Sequence, residues 1–135
     1  MESTYIVEAF GPAIPDLRHS DLCDLSLGSC GLRVAVFFGE DNDGNEKFVE
    51  VVFTTPRAFR YLDEGDLLPY WQSGAFDTSR HLVFEIKRGG WAEQEERSGM
   101  FNVTAAVGIH REWFVASSNA CLNVISAAGP LVRVL

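Results

Sequence analysis

Cysteine is scarce in this sequence and odd in number: Cys23, Cys30 and Cys121 are three among 135 residues, with no CxxC spacing. Such a set argues against a disulfide framework and fits reduced thiols in a cytoplasmic compartment. Histidine is equally sparse. His19, His81 and His110 form neither HxxxH nor HExxH, so no metal and no cofactor is expected. No apolar stretch approaches the roughly 18 residues that a membrane helix needs. Met1-Glu2-Ser3-Thr4 lacks the basic and apolar regions of an export signal. Positive charge is in short supply too, with 11 Lys and Arg against 19 Asp and Glu and a net charge of -8. That field repels phosphate backbones and anionic lipid, so neither nucleic acid nor membrane is expected as a partner, whereas a basic protein would be attracted. Catalytic signatures are missing as well. GxSxG, SxxK and GxGxxG are absent, and Gly89-Gly90-Trp91 lacks the Lys-Ser/Thr of a phosphate cradle.

What the chain does have is apolar substance in short, strand-like runs. Hydrophobic residues make up 47% of it, including ten Phe, three Trp and three Tyr, enough for an independent core. No linker or repeat divides it, and it reads as one domain over residues 1–135. Tyr5 to Phe10, Leu22 to Gly28, Leu32 to Phe38 and Phe48 to Thr54 alternate with period two or are rich in β-branched and aromatic residues. They imply an N-terminal β-meander. Strands are also expected at 81–87, 101–110, 113–116, 121–126 and 131–135. Thr55-Pro56 has the form of a helix start, with Ala58, Phe59 and Leu62 on one face, Arg60 and Glu64 paired at i,i+4 and Gly65 as the stop. A second helical turn is expected over 66–74, and Glu93 with Arg97 suits a short helix after Trp91. Trp71 and Trp91 are expected in the core. The fold class is therefore α+β: a mostly antiparallel sheet with one or two short helices near residues 56–73.

Two acidic groups stand out as candidate partner-binding residues. Glu40, Asp41, Asp43 and Glu46 occupy the polar loop between two strands, and Asp63, Glu64 and Asp66 surround the expected helix C-terminus. Negative charge opposes the macrodipole there, which invites a functional explanation. A calcium loop fits poorly. With Gly44 at its sixth position, Asp41, Asp43 and Glu50 fall third, fifth and twelfth, but Gly39 occupies the first position and strands replace the flanking helices. Cys121 lies in an apolar strand pattern, where a free thiol behaves as a small buried hydrophobe rather than a nucleophile.

Toward the C-terminal end, Glu112-Trp113-Phe114-Val115, the run Asn119-Ala120-Cys121-Leu122-Asn123-Val124-Ile125-Ser126 and the turn Gly129-Pro130 form a strand–turn–Cys–strand–Pro ending. With Gly89-Gly90-Trp91, this ending resembles small bacterial proteins grouped with the immunity proteins of polymorphic and contact-dependent toxin systems. The resemblance implies a small, acidic, cytoplasmic protein that binds a toxin domain and blocks its active site. It transfers no individual site residue. The expectation is a non-enzymatic binding protein, an immunity-type inhibitor whose partner is a basic toxin domain that its charge would steer. The alternatives are an accessory or structural subunit of a complex and a small-molecule enzyme.

Overall fold

The computed structural model describes residues 5–63, 68–100 and 110–135. Among them, nine strands form two antiparallel sheets. Strands β2 (Asp21–Gly28), β3 (Gly31–Glu40), β4 (Glu46–Phe53) and β9 (Leu131–Val134) form one sheet in the order β2-β3-β4-β9. Strands β1 (Ile6–Phe10), β5 (Pro56–Asp63), β6 (Val83–Arg88), β7 (Arg111–Ala116) and β8 (Ala120–Ser126) form the other, in the order β1-β6-β7-β8-β5. Two helices complete the described chain, α1 (Leu68–Gln72) and α2 (Trp91–Arg97).

Alternation in β3 and β4 explains the first sheet. Leu32, Val34, Val36 and Phe38 point inward beside Val49, Val51 and Phe53, and all are buried. Their register is direct, with Leu32 opposite Phe53, Val34 opposite Val51 and Val36 opposite Val49. They meet Val83, Trp113, Val115, Leu122 and Val124 from the second sheet, so one core lies between the layers. Trp113 is its largest fully buried side chain, with its indole N–H donating to the Ser126 carbonyl at 3.2 Å. Gly31 sustains the β2–β3 turn at φ 102°, and a Cβ there would lie 2.1 Å from the Phe53 carbonyl oxygen, so only glycine fits.

The second sheet is buried on both faces. Phe84, Ile86, Phe114, Ala116 and Cys121 point away from the sandwich core and pack with Tyr70 of α1 and with Phe76. Rings crowd this outer cluster: Tyr70 lies 4.7 Å from Phe114 and Phe76 lies 4.8 Å from Phe114, centroid to centroid. Two-sided burial is why β7 and β8 read as nearly continuous apolar runs.

The architecture corrects part of the α+β expectation. The mostly antiparallel pairing is present and β2, β3 and β4 form the meander, yet β1 pairs with β6 in the other of two packed sheets and the helices are only five and seven residues long. Within the helix expected from Thr55 to Gly65, Pro56–Asp63 is strand β5, and residues 64 and 65 lie outside the described ones. Ala58 and Leu62 share a face in a helix and in a strand alike, so spacing could not separate the two. The structure does: Phe59 packs into the inter-sheet core and Leu62 into the outer cluster, on opposite faces. Pairing along β8, with Arg60 opposite Asn123, overrides the Thr-Pro signal. The second expected turn is α1. Trp71 and Trp91 are only partly covered, and the core tryptophan is Trp113. The strand expected over 101–110 lies outside the described residues except for His110, which precedes β7.

The three thiols are unbridged, with Cys23 and Cys30 exposed and Cys121 buried. Burial pushes the Cys121 thiol up to about 12. In native protein a thiol-specific reagent should therefore count two fast groups, with the third appearing only on unfolding. Three fast groups would show that the outer cluster does not seal Cys121.

Candidate functional site

Four of the acidic residues singled out in the sequence are brought together at the β3–β4 hairpin. Glu40 ends β3, Glu46 begins β4, and the two are register partners. The loop between them is set by Asp41. Its Oδ1 accepts hydrogen bonds from the amides of Asp43 at 2.8 Å and Asn45 at 2.9 Å. Its own amide donates to the Asn45 carbonyl at 2.8 Å, and Gly44 takes φ 81°. The Asn45 and Asp43 amides, with the Asn45 side chain, hold the Asp41 carboxyl below the usual carboxylate range. Asp41 is thus spent on the turn, while Glu40, Asp43 and Glu46 are exposed around it.

Of the second acidic group only Asp63 is described, and it is not at a helix C-terminus. Asp63 is the exposed last residue of β5, opposite Ala120 of β8, so the macrodipole argument does not apply to it. Glu64 and Asp66 lie outside the described residues, as does the Arg60–Glu64 pairing. Asp63 and the hairpin nevertheless share one end of the sandwich. Ala120 follows the β7–β8 turn, whose Ser117 Oγ and Asn119 Oδ1 accept from the Leu22 amide at the start of β2. Asp21 beside it pairs with Phe37, just before the hairpin.

Glu50, the twelfth position of the calcium alignment, is in the middle of β4 rather than in the loop. Its carboxylate is bound by Arg133 and by Arg33 Nε, the latter at 2.6 Å. Among the described residues no group of three or more His, Cys, Asp or Glu could hold a metal ion.

A buried polar network on the outer face of the second sheet escaped the sequence reading. Glu112 of β7 is 5% exposed and Asn123 of β8 is fully buried. Oε1 of Glu112 accepts from the Ala92 amide at 2.7 Å, and Oε2 accepts from the Trp91 amide at 3.1 Å and from Asn123 Nδ2 at 2.9 Å. Arg60 Nε donates to Asn123 Oδ1 at 3.1 Å, and Arg60 Nη2 donates to the Tyr70 hydroxyl at 2.6 Å. The Arg60 guanidinium also lies 5.2 Å from the Trp91 ring centroid. Glu112 caps α2 from outside, because Gly90 at the N-cap has no side chain to do so. A Cβ on Gly90 would come within 2.5 Å of Glu112 Oε1. Here Gly89-Gly90-Trp91 admits an internal carboxylate where a phosphate cradle would admit a ligand. The sequence signal was available: Glu and Asn stand inside two otherwise apolar strands.

Chemically, this network is closed. The lone pairs of Glu112 face amides and Asn123, and among the described residues no buried side-chain nitrogen or oxygen lacks a partner. Grooves flank the sheets, and one of about 240 Å³ borders the network itself, lined by Glu85, Gly90, Arg111 and Glu112. One of about 380 Å³ is lined by Leu27, Phe59 and Trp91. One of about 510 Å³ is lined by Trp71, Phe76 and Asp77, where the Ser79 hydroxyl and amide already hold Asp77 below the usual carboxylate range. Comparison with protein families, with curated proteins and with solved structures finds no match.

Burial raises the Glu112 carboxyl above its ordinary 4.5 and outweighs its amide and Asn123 hydrogen bonds and the nearby Arg60 charge. A raised folded value means the group's stabilising contribution is full below the unfolded value and fades as pH rises through the folded one. Denaturant unfolding of wild type and Glu112→Gln should therefore show the wild type losing ground to the variant from pH 4 upward. A difference that moves the other way would place the folded value below 4.5. Gly90→Ala, by forcing the carboxylate off α2, should cost about 1–3 kcal/mol in the same assay; an unchanged midpoint would mean the cap is dispensable.

Proposed function

We propose that this chain is a non-enzymatic binding protein, an immunity-type inhibitor that docks on a basic toxin domain. The observation that carries the reading is the hairpin tip, where Glu40, Asp43 and Glu46 stand exposed around a loop already ordered by Asp41. Like charges in cross-strand register oppose the hairpin, so Glu40 facing Glu46 is not there for stability. A partner field of opposite sign accounts for it. A preset loop also lowers the ordering cost of docking. The non-enzymatic part is supported by the fate of the reactive groups: Cys121 is buried with a raised thiol pKa and Glu112 is committed to α2.

An accessory subunit of a complex is the second reading. It draws on a separate observation, the exposed apolar residues Leu131 and Val134 on edge strand β9.

The inhibitor reading expects a toxin gene directly upstream, whose product should be neutralised on co-expression. Against that toxin domain, the combined Glu40→Gln, Asp43→Asn, Glu46→Gln and Asp63→Asn variant should associate more slowly, with a flatter salt dependence. Steering of this kind is worth about 10–1000-fold at low salt. Growth rescue absent in the wild type would end the inhibitor reading. Rescue with unchanged association kinetics in the variant would move the interface away from the hairpin.

A further inference from the structure

Among the described residues the two sheets have four edge strands, and three of them are guarded against pairing. Strand β2 carries a register shift between Leu22 and Asp24 with Asp21 and Asp24 exposed. Strand β5 begins with Pro56, shifts register before Ala58 and carries Arg57 and Asp63. Strand β1 shifts at Ile6 and carries Glu8. Such shifts and charges are how sheets blunt their edges. Strand β9 has no register shift. It pairs straight along β4, from Val52 opposite Leu131 to Val49 opposite Val134. Leu131, Val134 and Leu135 are 62%, 52% and 58% exposed. Its one charge, Arg133, is bound to Glu50 of its own sheet.

The sequence along this edge is Leu131-Val132-Arg133-Val134-Leu135, which reads the same in both directions. We propose that β9 pairs with β9 of a second copy about a two-fold axis through Arg133. That register sets Leu131 against Leu135 of the second copy and Val132 against Val134 of the second copy.

The hydrogen-bond phase fits this register. The Leu135 amide donates to the Phe48 carbonyl at 2.8 Å, so residues 131, 133 and 135 turn their main-chain groups toward β4. Alternation then turns those of Val132 and Val134 toward the open side. These are the residues that the two-fold makes partners, so each Val132–Val134 pair exchanges both of its hydrogen bonds. The faces agree as well. Arg133 lies with Glu50 on the outer face, and Val132 packs inward against the core. A two-fold perpendicular to the sheet keeps leucines with leucines outside and valines with valines inside. The two four-stranded sheets become one of eight strands, and the edge is consumed, so assembly closes at the dimer.

Two repulsions oppose it. Arg133 meets its own copy across the axis, and each chain carries a net charge of -8. Salt screens both, so association should tighten as ionic strength rises. A basic partner steered to the hairpin would show the reverse.

A single strand pair is a small interface, under about 1,200 Å² in total, so sedimentation velocity should span about 10 µM to about 1 mM. The wild type should pass from monomer to dimer in that range and stop there. Val134→Pro removes an amide that makes no bond to β4, and edge strands tolerate proline. It should stay monomeric throughout with an unchanged circular-dichroism spectrum. If that variant misfolds, the Leu131→Glu, Leu135→Glu double variant makes the same test by setting acids against acids. A wild type monomeric at every concentration and salt, a dimer that survives these substitutions in folded protein, or growth beyond the dimer would each overturn the proposal.

Discussion

The carboxylate of Glu112 sits in a sheet covered on both sides, and the residue keeps only 5% of its surface exposed. A buried charge in that position must be met by donors from the protein itself. The start of α2 supplies two amides and Asn123 supplies a third N–H. Asn123, fully buried in its turn, needs Arg60, and Arg60 reaches it only because β5 runs as a strand beside β8. Tyr70 then brings α1 onto the same face through its hydroxyl. The outer layer of the second sheet is thus organised around one acid, with the aromatic cluster of Tyr70, Phe76 and Phe114 packed alongside.

Acidic residues divide into two populations that do different things. Asp41, Glu50, Glu85 and Glu112 are committed to internal partners: a turn, the pair Arg33 and Arg133, the pair Arg111 and Lys87, and a helix start. The charges of Glu50 and Glu85 are largely cancelled where they stand by those cations. Glu40, Asp43 and Glu46 are exposed at one end of the sandwich and contribute to the long-range field. A net charge of -8 is therefore not spread evenly in effect. One end of the molecule presents open carboxylates, while the outer face of the first sheet presents a neutralised Glu50 with apolar edge residues beside it. The two surfaces suit different occupants, one charged and one self-complementary.

The sequence by itself determined most of the strands, because period-two alternation in β2, β3 and β4 has no helical counterpart and their turns are marked by glycine and polar residues. It also placed Cys121 in a buried strand and Asp41 and Asp43 on a loop, both consequences of local pattern alone, whereas Glu40 and Glu46 are the paired strand ends that flank it. Tertiary structure decided the rest. Residues 56–63 fit a helix by their cap and their apolar spacing, and only pairing with β8 made them a strand. Trp71 and Trp91 carry no local mark of exposure; the layers left them at the margin and chose Trp113 for the core. Asp63 was legible as acidic, but its place opposite Ala120 depends on that same pairing. The network of Glu112, Asn123, Arg60 and Tyr70 joins residues from β7, β8, β5 and α1. Their separation in sequence hides a contact that exists only because two sheets and an outer helix must enclose the same buried charge.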